Sequence, residues 1–103
     1  MRYRSRTDII SQILDTANGG GATKTKILYK SCLSHNQLKE YLPVLAGSGL
    51  LSYDGQTHTF KTTEKGLKFL KIYTRIVHLM DVPEFGYGSD TKYRQPFLYY
   101  LSS

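Results

Sequence analysis

The pair Asp54-Gly55 sits between two short alternating runs, Leu50-Leu51-Ser52-Tyr53 and Thr57-His58-Thr59-Phe60-Lys61-Thr62. Aspartate and glycine accept the backbone angles of a tight hairpin turn, and alternation with period two gives each strand one inward and one outward face. An isolated two-stranded hairpin is at best marginally stable in water. This one must therefore be covered by its surroundings, and these read as helices on both sides.

Upstream, Ile9, Ile10, Ile13, Leu14 and Ala17 recur at helical spacing. The first helix is expected to start at Arg6 or Thr7, capped by Ser5 or Thr7, with Asp8 at its positive end. Asn18 and the three glycines Gly19, Gly20 and Gly21 end it. Ala22-Thr23-Lys24 reads as a brief strand or as the approach to a second helix over about 26–31, capped by Thr23 or Thr25 and turned inward by Ile27 and Leu28. Leu33-Ser34 reads as a tight turn. Ser34 then caps a third helix over about 34–46, with Gln37 as its capping-box partner. Leu38, Tyr41, Leu42 and Leu45 form the buried stripe of that helix. Pro43 removes a backbone donor and crowds the carbonyl of Lys39, at a cost of about 3 kcal/mol in a helix interior. The third helix is therefore expected to bend at Tyr41-Leu42 or to end in an irregular turn.

After the hairpin, Thr62 or Thr63 caps a last helix over Glu64 to Met80. It carries two adjoining apolar stripes, Phe69, Ile72, Ile76, Leu79 and Leu70, Tyr73, Val77, Met80. A helix on the surface of a monomer needs one such stripe, so the second calls for a partner. The reading divides the chain into a domain over 1–80, with a dimerisation helix at about 63–80, and a partly ordered tail over 81–103. That tail is rich in aromatics (Phe85, Tyr87, Tyr93, Phe97, Tyr99 and Tyr100), and Pro96 to Leu101 is expected to dock. It could instead cover one of the two stripes itself.

With 103 residues the chain suits one domain. No apolar run reaches the roughly 18 residues of a membrane span. No apolar h-region follows the basic start Met1-Arg2-Tyr3-Arg4-Ser5-Arg6, so neither membrane nor signal peptide is expected, and the cytoplasm is the expected compartment. The formal net charge of +6 suits a polyanionic partner. Cys32, the single cysteine, is expected to be buried and cannot form an internal disulfide. His35, His58 and His78 lack metal-ligand spacing, the carboxylates show no catalytic pairing, and Gly19 to Thr25 lacks the spacing of a phosphate-binding loop. No metal site, catalytic residue or cofactor is expected.

Two helices joined by a tight turn and followed by a hairpin describe a mainly α, α+β winged helix-turn-helix, here with a two-stranded wing and a long C-terminal helix. In that arrangement the helix over 34–46 lies in the major groove. Lys24, Lys26 and Lys30 on or before the second helix would hold phosphates. Ser34, His35, Asn36 and Lys39 would face base edges or backbone. Arg2, Arg4 and Arg6 could form an arm, and Lys61 would reach DNA from the hairpin.

The segments Ala22-Thr23-Lys24-Thr25-Lys26-Ile27, Gln37-Leu38-Lys39-Glu40-Tyr41-Leu42, Gly49-Leu50-Leu51-Ser52-Tyr53 and Lys61-Thr62-Thr63-Glu64-Lys65-Gly66 resemble archaeal winged helix-turn-helix DNA-binding proteins, small predicted regulators and chromatin-associated proteins. The resemblance covers roughly residues 4 to 80. It implies a homodimer joined through an antiparallel pair of last helices, duplex DNA as ligand, a nucleoid-associated location and no enzymatic activity. Phe69, Ile72, Tyr73, Ile76, Val77, Leu79 and Met80 would form the dimer seam. The chain departs from the pattern at Pro43 and in a wing tip, Asp54 to His58, without lysine or arginine. A protein-binding winged helix and a non-specific architectural DNA binder are the alternative readings.

Overall fold

The structure is a computed structural model that describes residues 4–80; the expected tail over 81–103 lies outside the described residues. Four helices and one hairpin follow in the order α1 (Arg6–Ala17), α2 (Lys24–Ser31), α3 (His35–Gly47), β1 (Leu51–Asp54), β2 (Thr59–Thr62) and α4 (Glu64–Met80). The expected α+β winged arrangement is the one observed.

Each of the first three helices starts where a short polar side chain can hold an orphan amide. The Ser5 hydroxyl accepts from the Asp8 amide while the Asp8 carboxylate accepts from the Ser5 amide, a complete capping box on α1. Thr23 caps α2, two residues earlier than the expected start. Ser34 and Gln37 close the same reciprocal box on α3 at 3.1 Å in both directions.

α1 is the centre of the core. Ile13, Leu14 and Ala17 are fully buried against Ile27 of α2, Leu38, Leu42 and Leu45 of α3, Leu51 and Phe60 of the hairpin, and Leu70 of α4. The Thr62 hydroxyl donates to the Leu14 carbonyl at 2.6 Å, tying β2 to α1. Ala22 exchanges two backbone hydrogen bonds with Phe60, at 2.8 and 2.7 Å, so the brief strand expected there exists as a single bridge.

Three local expectations change. α3 runs through Pro43 to Gly47. Lys39 and Pro43 are both exposed, so water can take the Lys39 carbonyl that proline leaves without an amide. The hairpin pairs Leu51 with Thr62 and Asp54 with Thr59, so the expected turn at Asp54-Gly55 is a loop over residues 55–58, with Asp54 still in the strand. The left-handed residue of that loop is His58, at φ +55°, and not Gly55. Cys32, expected to be buried, is exposed and left-handed at φ +54°, where it caps the end of α2. Its backbone makes the turn into α3 possible.

The start of α4 is pressed onto the loop that ends α3. The Thr63 hydroxyl accepts from the Gly66 amide and donates to the Gly49 carbonyl, and the Lys65 ammonium donates to the Ser48 carbonyl at 2.7 Å. A Cβ on Gly66 would lie 2.5 Å from the Leu50 carbonyl oxygen and 2.6 Å from Thr62 Cγ2. Only glycine permits that approach. Two turns further on, Tyr73 is buried and donates its phenol to the Asp8 carboxylate on α1. Burial, and after it that carboxylate, push the Tyr73 phenol well above its usual range.

Tyr73, expected on a dimer stripe, therefore packs inside its own chain. The stripe that begins with Leu70 and Tyr73 is the one α4 turns inward. Ile72, Ile76, Leu79 and Met80 are exposed, Phe69 is half-buried between the two faces, and Val77 is half-buried at the end of the inner stripe.

Candidate nucleic-acid interface

α3 separates its side chains by face. Leu38, Tyr41, Leu42 and Leu45 are buried, while His35, Asn36 and Lys39 on its first two turns are exposed. Asn36 and Lys39 stand three residues apart and share one outward stripe. Ser34 is at the same end, with its oxygen already accepting the Gln37 amide; its hydroxyl proton is what it can offer a ligand. The first turn of α3 contains no acidic residue, so its positive end is not offset locally.

Lys24, Lys26 and Lys30 are all exposed on α2, which leads into α3 through Cys32 and Leu33. They are not equivalent. Lys30 lies close enough to Asp15 to lower that carboxyl, against the larger effect of burial, which raises it. Lys30 thus already faces an opposing charge within the chain. Tyr29 stands between Lys26 and Lys30 and is 76% exposed. Its phenol is a further donor on this surface, beside residues singled out in the sequence. Its signal was an aromatic residue outside the helical spacing of the core.

Arg4 does something else. Its guanidinium donates to the Ser31 carbonyl at 2.7 Å, to the Cys32 carbonyl at 3.0 Å and to the Gln12 side chain. A cation is well placed on carbonyls at a helix C-terminus. Arg4, which the sequence reading places on DNA, here holds the end of α2, and with it the turn into α3, against α1. Arg6 lies 5.4 Å from the ring centroid of Tyr41, a cation–π contact that ties the start of α1 to α3. Arg2 lies outside the described residues.

The hairpin offers Lys61 on its outer face, paired in register with Ser52. The tip is different. The Gln56 amide bonds the Asp54 carboxylate and holds its carboxyl below the usual range, so the tip is anionic at neutral pH. Tyr53 packs against Phe60 with the rings tilted and their centroids 4.8 Å apart, and its hydroxyl meets His58 Nδ1 at 3.0 Å. Phosphate would be repelled at the tip and accepted at the base, near Lys61.

A family profile described as winged helix-turn-helix matches residues 3–81. The chain belongs to the winged helix-turn-helix family. A comparison with curated proteins yields no match. In this winged helix-turn-helix, α2 and α3 are the helix-turn-helix pair, the hairpin is the wing, and α4 is the helix that follows it. Among the described residues, no group of three or more His, Cys, Asp or Glu side chains is arranged to hold a metal ion. No helix among them is long and apolar enough to cross a membrane.

Proposed function

We propose that the chain is a DNA-binding transcriptional regulator of the archaeal type, which holds duplex DNA as a homodimer and associates with the nucleoid. The observation that carries this reading is the two-faced α3. Its apolar stripe is anchored in the core, and its first two turns offer Asn36, Lys39 and His35 to solvent beside the α2 lysines. A helix fixed in this way presents base-reading side chains without having to order them on binding. Asn36 can pair with adenine and Lys39 with the acceptors of guanine. Lys24 and Lys26, with Lys30 held partly by Asp15, would grip the backbone, and Lys61 would add a contact at the base of the wing.

The homodimer is proposed on Phe69, Ile72, Ile76, Leu79 and Met80, with Val77 at its edge. Ile72 is 60% exposed, Leu79 is 76% exposed, and both lie on one stripe of α4. A second copy is the partner whose matching stripe the chain itself supplies.

The test is the double variant Asn36→Ala/Lys39→Ala in fluorescence anisotropy with duplexes selected from a random pool. Two lost base contacts of about 1–3 kcal/mol each would weaken binding at least tenfold. Melting should not change, because both side chains are exposed. Unchanged affinity would exclude α3 as the reading helix. Selection at two salt concentrations separates the alternatives. An enriched motif marks a regulator, salt-sensitive affinity without a motif marks an architectural protein, and absence of DNA affinity marks a protein-binding module.

A further inference from the structure

Lys68, Lys71 and Arg75 follow one another on α4 at spacings of three and four, which places them on one helical stripe. All three are exposed, and none is engaged in a hydrogen bond or ion pair among the described residues. Glu64 is the single acidic residue of the helix. At about 100° per residue, the basic stripe flanks Ile72, Ile76 and Leu79 on the side opposite Phe69. It therefore borders the proposed dimer seam along its length.

Symmetry then constrains what the dimer looks like. A twofold axis between antiparallel helices sets each flank of the seam against the same flank of the partner. The basic stripe of one copy runs beside the basic stripe of the other. Glu64, four residues before Lys68, begins the same stripe one turn outside the seam. It faces the Lys68 of its own helix, and no carboxylate of α4 lies along the seam between the two rows. Cations gathered in this way repel one another until an anion is bound between or along them.

We propose that this ridge is a second duplex-DNA surface, separate from α2 and α3, so that one dimer joins two DNA segments. The inference rests on the homodimer reading. α4 packs on α1 and β2, whereas α3 packs on β1, and no residue of α2 or α3 contributes to the stripe. The stripe has cations and no aromatic ring, which suits the closely spaced phosphates of a duplex rather than the unstacked bases of a single strand. Its apolar neighbours are covered by the seam, which leaves an acidic protein no hydrophobic anchor beside it.

The experiment uses the full chain and two short duplexes, one immobilised and one labelled, and measures capture of the second through the protein. The variant Lys68→Gln/Lys71→Gln/Arg75→Gln alters only exposed side chains. Its capture of the second duplex should fall by about tenfold or more at low salt, while its affinity for a single duplex stays within about threefold of wild type. Sedimentation should show both proteins as dimers. The companion variant Lys24→Gln/Lys39→Gln should lose single-duplex affinity instead. A dimeric wild type whose capture survives the triple substitution overturns this proposal alone. A triple variant that loses capture and single-duplex affinity together also overturns it, because the stripe would then belong to the first surface. A wild type that sediments as a monomer overturns the homodimer reading and this proposal with it.

Discussion

The first half of α4 is fastened to its own chain, and the second half is not. From Thr63 to Thr74 the helix is capped by Thr63, drawn to Ser48 through Lys65, pressed on Leu50 at Gly66, and buried at Leu70, Tyr73 and Thr74. From Arg75 to Met80 it has no buried residue, and Ile76, Leu79 and Met80 stand in solvent. Both halves are written in the same apolar periodicity. The difference teaches that a double stripe is not one surface with one purpose. α1 takes the inner stripe as far as Tyr73, and the outer stripe remains for a partner.

Substitutions along the helix can break this contrast. The largest effect is expected at Leu70→Ala, which empties a fully buried site and should cost about 3 kcal/mol in denaturant unfolding. A loss below 1 kcal/mol, on the order of an exposed position, would mean that the first half is not docked. Next is Gly66→Ala, whose methyl would meet backbone at Leu50; a loss of roughly 2 kcal/mol is expected, with a lower melting temperature. Tyr73→Phe removes a hydrogen bond to a carboxylate and should cost about 1.5 kcal/mol. That loss should shrink in acid, because the protonated Asp8 carboxyl is a weaker acceptor. The smallest effect on folding is expected at Ile76→Ser, within about 0.5 kcal/mol at high dilution because the side chain is 48% exposed. The same change should shift sedimentation toward monomer. A variant that destabilises the isolated chain as Leu70→Ala does, and leaves association unchanged, would reverse the assignment of the two halves.

What was legible in the sequence shares one property: it depends on neighbours a few residues away. Ser5 with Asp8, Thr23 with the Lys26 amide, and Ser34 with Gln37 are caps whose partners lie three positions on. The hairpin was legible in place and not in form. Period-two alternation marks the strands, but the pairing of Asp54 with Thr59 places the loop at residues 55–58 and the left-handed residue at His58. On the candidate interface, the exposure of Asn36 and Lys39 follows from the helical spacing of Leu38, Tyr41 and Leu42, so that face could be read directly.

Two residues have distant partners that local spacing does not show. Arg4 looked like part of a free basic arm, yet it meets Ser31 and Cys32, 27 and 28 residues away. Tyr73 looked like a seam residue, yet its phenol reaches Asp8, 65 residues away. Composition and periodicity are silent on both, because a guanidinium or phenol suits water and a carbonyl or carboxylate almost equally well. Only proximity decides between them.

By itself, then, the sequence determined the number and order of the elements, their caps, and the inward stripe of each of the first three helices, because hydrogen bonding and side-chain periodicity act within a turn or two of backbone. The tertiary structure alone decided which stripe of α4 faces α1, why residue 66 is glycine, and that Arg4 braces the turn before α3. Those outcomes depend on how closely two distant segments approach, 2.5 Å from a Cβ at position 66 to the Leu50 oxygen. That distance is set by the packing of the whole core and by no residue's neighbours in sequence.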